Sequence, residues 1–430
     1  MVGPPECRRG RPRGAGLAAV PSHDADATVE TAQSSELAPG SGTPRPQRPT
    51  ATIPLRLTAR WFWLFGIALG FVSVVVIFGS PFYRFVDFGQ FWAAGHTVGT
   101  PDLLDPVRHM DWQIAHGVRP ASFVYPAGSA WLFVPFATTS LAVGFWLHAI
   151  VMTGLVAAAG ILGARVYGLD WRVGLVAAFA WAPCMASAVT GQNAALGLVL
   201  ALVAIEGLRR DDDFLAGLGV GLLLYKPTLA VPLIALMLLR QRWRASLIVV
   251  GFAGGWYLAG VAAAAGDWTW PGRWLSVIGD YYASDTASNL VRTISIPGLL
   301  LGTGVPSIAV WALALAVGAL AVPRLLRWPI AEAGAGACLV GLAISPHALN
   351  YEGALILPAL LWAMGATVTG IAEPARTRLI VAAYLVAPEY LISETVGLSS
   401  LVIVTAVGAA IWISGWRRTE TLPARTKESA

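Results

Sequence analysis

The chain has 430 residues, of which 56% are hydrophobic and only 12% charged, and its net charge is +5. Soluble domains carry about twice that share of charge, so the composition excludes an ordinary soluble fold and points to a polytopic membrane protein. The positive charge lies on arginines in the tails and short loops, a pattern of cytoplasmic anchoring and not of nucleic-acid binding, and the three cysteines, Cys7, Cys184 and Cys338, are too scattered for a disulfide framework or a zinc site.

In chain order, residues 1–55 read as a disordered cytoplasmic tail. The arginines from Arg8 to Arg13 adjoin no apolar h-region, so they make no signal peptide, and the Pro/Ser/Ala/Asp/Glu-rich stretch that follows lacks any periodicity that would bury a face. Residues 56–416 read as an all-α transmembrane bundle, and 417–430 as a second cytoplasmic tail. The apolar runs predict about 12 spans: Trp61–Ser80, Ser122–Thr139, Leu141–Ala164, Arg172–Val189, Ala194–Leu208, Phe214–Leu239, Ala245–Ala265, Pro306–Val322, Ala331–Ile344, Gly353–Gly370, Leu379–Ser393 and Leu398–Ser414. Arginines flank the first, seventh, eighth, tenth and last of these. Placing them inside puts both termini in the cytoplasm and the segments 81–121, 266–300 and 345–352 on the outer face.

One stretch fits two topologies. Twelve simple crossings put Arg165, Arg172, Arg209 and Arg210 outside. A rival topology keeps them inside, with Ser122–Thr139 re-entrant and Phe214–Leu239 folded as a hairpin of half-helices around Lys226-Pro227. In either case the outer segments 81–121 and 266–300 are expected to form short helices along the interface, with their tryptophans at headgroup depth.

The polar residues inside this apolar chain need individual reasons. Asp87 follows the first span among aromatic and aliphatic neighbours. It is either a solvated boundary residue or a proton acceptor for chemistry at the bilayer surface. Lys226 is one of only two lysines and sits in Leu224-Tyr225-Lys226-Pro227; it either snorkels from a helix break or offers a point charge to an anion such as phosphate. His347, with Asn350 and Tyr351, either forms a helix corner or hydrogen-bonds phosphate and hydroxyls. Gln192 and Asn193 interrupt an apolar run as caps, interhelical glue or substrate contacts. Tyr125-Pro126 opens the second span as an entry turn. Asp211-Asp212-Asp213 reads as a charged connector and not as a metal site, and no glycine-rich phosphate loop stands between a strand and a helix.

Taken together, Val86-Asp87-Phe88 with Trp92-Ala93-Ala94-Gly95, then Tyr125-Pro126, Gly191-Gln192-Asn193, Ala216-Gly217 leading to Lys226-Pro227-Thr228, Arg242-Trp243-Arg244-Ala245, and Ser345-Pro346-His347 with Tyr351, resemble glycosyltransferase family 87 in the family's order. The members it resembles are polyprenyl-phosphate-mannose-dependent membrane enzymes of actinobacterial cell envelopes. The resemblance spans roughly Trp61 to Gly370. It implies a GT-C type bundle in the plasma membrane that moves a sugar, most often mannose, from a polyprenyl-phosphate donor to a glycolipid or lipoglycan hydroxyl on the extracytoplasmic face, inverting it to an α-linkage. It implies Asp87 as the catalytic residue. Lys226 and His347 would bind the donor phosphate, and Gln192, Asn193, Tyr125 and Tyr351 would bind substrate. The partners expected are the lipid donor, the glycolipid acceptor and membrane lipids. No metal or other cofactor is expected, since the departing group is already a phosphate anion. Decaprenyl-phosphate-arabinofuranose is the rival donor, and a lipid-linked sugar transporter is the rival from another class, which Lys226 and broken helices also fit.

Overall fold

A computed structural model describes residues 87–288, 292–365 and 383–384. The span expected at Trp61–Ser80, the two tails, the last two spans save Ala383 and Tyr384, and the end of Gly353–Gly370 lie outside the described residues. Among those described the chain is helical, without a strand, and three helices are long and apolar enough to cross a membrane: Leu141–Tyr167, Trp243–Ala263 and Ser307–Arg327. The protein is a membrane protein on this evidence. The twelve spans are not reproduced, because several expected runs are broken.

The helix Leu141–Tyr167 (α3, after the outer-segment helices α1, Phe88–Thr97, and α2, Pro106–Ala115) shows how local chemistry sets the ends. Ser140 accepts the Val143 N–H at its start. Gly168, at φ +69°, closes it in the left-handed conformation that a side chain resists. Its 27 residues reach about 40 Å, enough to cross at a tilt. The expected span Arg172–Val189 is instead two helices, Trp171–Ala180 (α4) and Ala182–Thr190 (α5), bent by 64°. The break falls at Trp181, two residues before Pro183, and the buried Trp181 indole donates to the Gly353 carbonyl at 2.7 Å. That bond fixes the bend against the second half of the bundle.

The two rival topologies separate at the next helices. Ser122–Thr139 is no span: its chain is not helical up to Pro126, and only Ala127–Ala137 is helical, roughly 20 Å, about two thirds of a bilayer core. After Ala194–Arg209 (α6), the run Phe214–Leu239 divides into Asp213–Leu223 (α7) and Pro227–Leu239 (α8), with Pro227 in the first turn, where its missing N–H costs nothing. Arg242 reaches back to Asp213 at 2.7 Å, so the start of α7 and the end of α8 lie at the same end of the bundle. The pair is therefore a hairpin, and Lys226 is at its tip, roughly 20 Å from the base.

The same end collects further arginine-bearing loops. Arg165, Arg209 and Arg210 converge on Glu206 at 3.4, 2.7 and 2.6 Å. Asp212 caps α7 through the Leu215 N–H, and Asp211 and Asp213 grip Arg242, so the triple aspartate is a connector. Arg240 donates to the carbonyls of Leu325 and Trp328, at the end of Ser307–Arg327.

Trp243–Ala263 (α9) carries the chain from this arginine end to the other, where the Gly99 N–H meets the Ala263 carbonyl at 2.7 Å. There the three segments expected on the outer face meet. Trp274, on Trp270–Ser288 (α10), donates to the Val124 carbonyl. After Ile296–Gly302 (α11), Ser307–Arg327 (α12) and Ile330–Ile344 (α13), Leu349 forms an isolated antiparallel bridge with Thr293. A short 3-10 turn, Asn350–Ile356, leads into Leu357–Gly365 (α14). Short helices are present in 81–121 as α1 and α2, and Trp92 lies in packed protein. It is 8% exposed, with its indole donating to the Thr139 carbonyl, because it packs with Phe88, Val118 and Phe145 in a small core of its own.

Candidate active site

Asp87 stands at the N-cap position of α1, yet its carboxylate accepts no helix N–H. A capping role, the commonest use of an aspartate there, is absent. The carboxylate instead accepts from the side chain of Gln192. This contact depends on Gly191. At φ +84° it turns the chain out of α5, and a Cβ there would lie 2.4 Å from the Phe88 Cβ and 2.8 Å from the Phe88 backbone N. Only glycine lets the Gly191-Gln192-Asn193 turn rest on the backbone next to Asp87.

The turn is locked from behind. Ser187 donates to the Gln192 carbonyl at 3.1 Å and accepts the Ala195 N–H at 3.0 Å. The Tyr225 hydroxyl donates to the Asn193 carbonyl at 2.8 Å, and His148 Nε2 donates to Asn193 Oδ1 at 3.0 Å. The Gln192 Oε1 and Asn193 Nδ2 atoms are buried without a hydrogen-bond partner among the described residues. Buried polar atoms are rarely left so in a folded protein.

Lys226 enters from the hairpin tip. Its ammonium pairs with the carboxylate of Glu352, a residue with no exposed surface, and donates to the Tyr125 hydroxyl at 3.3 Å. It also lies over the rings of Tyr125 and Tyr351, at 5.2 and 5.4 Å from their centroids. Glu352 is held in turn by the Leu349 N–H at 3.0 Å. Asp87 lies within the fields of Lys226, Arg119 and Arg292, and the Tyr351 phenol lies within those of both carboxylates. Burial raises the Asp87 pKa above the usual aspartate value, and the Gln192 hydrogen bond and then Arg292, Arg119 and Lys226 pull it back.

The structure thus brings Asp87, Gln192, Asn193, Tyr125, Lys226 and Tyr351 into one polar cluster. His347 stands beside it, stacked on Tyr282 at 5.1 Å and edge-on to Tyr281 at 5.6 Å. Glu352 and Arg119 escape the sequence reading, which leaves Arg292 as an open candidate for acceptor contact. Glu352 looks like the last residue of a loop, although a lone lysine in an apolar run demands a carboxylate somewhere. Arg119 looks like an ordinary loop arginine.

Such a cluster can take a proton at Asp87 while holding an anion nearby. The model of glycosyltransferase family 87 matches residues 123–349, more than half of the chain. The chain belongs to glycosyltransferase family 87. Compared with curated proteins and with solved structures, it has no match. As a family 87 protein it is a membrane glycosyltransferase, and it uses a sugar donor and an acceptor. The matched region holds every residue of the cluster except Asp87, Arg119, Tyr351 and Glu352.

Proposed function

We propose that the protein transfers mannose from a polyprenyl-phosphate donor to a hydroxyl of a glycolipid or lipoglycan at the Asp87 end of the bundle. The observation that carries this reading is the Asp87 carboxylate, uncapped, hydrogen-bonded by Gln192, and under the electrostatic influence of Lys226, Arg119 and Arg292. Asp87 takes the acceptor proton as general base. The hydroxyl oxygen attacks the anomeric carbon from the face opposite the phosphate, so a β-linked donor gives an α-linked product. Of the three donors on the Lys226 ammonium, one faces Glu352 and one Tyr125, and the third serves the departing phosphate together with His347. Gln192, Asn193, Tyr125 and Tyr351 orient the sugars. The arginine loops at the opposite end support placing that end, and both termini, in the cytoplasm.

The test is transfer in membranes supplied with labelled polyprenyl-phosphate-mannose or, in a parallel arm, polyprenyl-phosphate-arabinofuranose. Wild-type protein is expected to use the first and Asp87→Asn neither. Near-normal transfer by Asp87→Asn removes it as base, and use of the second donor alone reassigns the sugar.

A further inference from the structure

We propose that His148 is a positioning residue for Asn193: by holding the Asn193 side-chain oxygen it turns the Asn193 NH2 group toward the Asp87 site, as a hydrogen-bond donor to a sugar hydroxyl. The inference rests on the reading above and deepens it.

The helix α3 buries Phe145, Ala149, Met152, Val156 and Ala159 on its inward face, and His148 lies among them with no exposed surface. An imidazole at such a place in a spanning helix is costly, and it is kept for a partner or a task. The ring is walled by Phe88 and Phe136, at 5.2 and 5.4 Å between centroids, and Phe88 is the residue next to Asp87. Its polar contact among the described residues is that of Nε2 with Asn193 Oδ1, at 3.0 Å, and Nδ1 is buried without a partner. A buried N–H left unpaired is the rarer kind of orphan, so the proton belongs on Nε2 and Nδ1 carries a bare lone pair. That tautomer can only donate to Asn193, and it thereby decides which end of the amide is taken.

The consequence falls on the other end. Asn193 is 3% exposed, and its backbone carbonyl accepts from the Tyr225 hydroxyl at 2.8 Å. The Tyr225 ring stacks on Tyr125 at 6.2 Å, so the residue is pinned to the Lys226 side of the cluster. Its Nδ2 is turned toward the Tyr125 hydroxyl and makes no hydrogen bond of ordinary geometry. On the neighbouring Gln192 the unpartnered atom is an acceptor, Oε1. A sugar hydroxyl both donates and accepts, so a donor and an acceptor on successive residues suit it. Were the Asn193 amide turned over, the turn would present two acceptors, and one hydroxyl could satisfy only one of them.

The experiment measures mannose transfer from polyprenyl-phosphate-mannose in membranes for His148→Phe, Asn193→Ala and the double variant, with melting temperature read in parallel. His148→Phe keeps a ring and removes the donor, and it should lower transfer by roughly tenfold or more. Asn193→Ala should cost about as much, and the double variant should lose no more than Asn193→Ala alone. His148→Gln, which keeps an N–H donor, should recover part of the loss. If His148→Phe does not accumulate in the membrane, the same cycle run with His148→Leu decides. Binding of polyprenyl-phosphate-mannose and of polyprenyl phosphate to the full-length protein in nanodiscs locates the hydroxyl. Weaker binding of the first alone places it on the donor sugar; unchanged binding of both, with transfer lowered, places it on the acceptor. Losses that multiply in the double variant, a His148→Phe that transfers as wild type, or weaker binding of both lipids overturn the His148 assignment and leave the proposed function standing. A wild type that moves no mannose from this donor overturns the proposed function and this inference with it.

Discussion

The two ends of this bundle use charge in opposite ways. At the arginine end, Arg165, Arg209 and Arg210 surround Glu206, and Arg242 is held by Asp211 and Asp213, with most of these side chains partly in solvent. At the other end Glu352 is buried, Asp87 and Lys226 are half-buried, and the neighbouring Gln192 and Asn193 keep unpartnered polar atoms. Charge that is exposed and matched stabilises a loop by little. Charge that is buried beside unsatisfied amides is costly, and a protein keeps it where it is used. Under the proposed function, the comparison separates anchoring arginines from reacting residues.

The sharpest way to break this contrast is at Asp87. Asp87→Asn should lower the transfer rate by roughly a hundred- to ten-thousandfold with expression and melting temperature unchanged, as removal of a general base does. A stability loss of the same size as the activity loss would make Asp87 structural. Gly191→Ala should come next. Its Cβ would meet the Phe88 backbone, forcing Gln192 away from Asp87, and a shift of that kind costs on the order of a hundredfold in rate.

Lys226→Ala should destabilise the protein by about 3–5 kcal/mol, because it strands Glu352 without a counter-ion. Lys226→Met combined with Glu352→Leu should restore most of the melting temperature but not the transfer, read in parallel by thermal unfolding and by donor turnover. The pH profile gives a smaller effect. With the Asp87 pKa raised by burial, activity should climb with pH through a limb above the usual carboxylate value of about 4. Arg292→Gln removes a cation that favours the ionised form, so it should move that limb to higher pH. Smallest of all, Arg165→Gln at the other end should change stability by less than about 1 kcal/mol and leave transfer untouched.

Much of the site is legible in the sequence because a polar residue in an apolar run is conspicuous. Asp87, Gln192, Asn193 and Lys226 all stand out that way, and they do converge. The breaks are half legible. Pro227 marks a discontinuity, but only the Arg242–Asp213 contact decides between a kinked span and a hairpin. The bend at Trp181 rests on an indole bond to Gly353, a partner 172 positions away that no local pattern announces. Glu352 and Arg119 were hidden, and Arg292 was left without a role, for a different reason. Each lies at a segment end, where charge is expected anyway, and its burial or convergence comes from tertiary packing. Trp92 failed in the same manner, because its position suits an interface belt and its surroundings make it core.

The hairpin also sets an order on how the protein is made. Its tip carries an ammonium into the bundle, and the carboxylate that neutralises it is residue 352, more than a hundred positions later in the chain. While the polypeptide emerges, Asp213–Leu239 must wait at the membrane with its cation unmatched. It settles only after the α13 segment has been inserted and Glu352 has arrived. Truncations ending between Lys226 and Glu352 should therefore be cleared by membrane proteases, although every one of them retains Asp87.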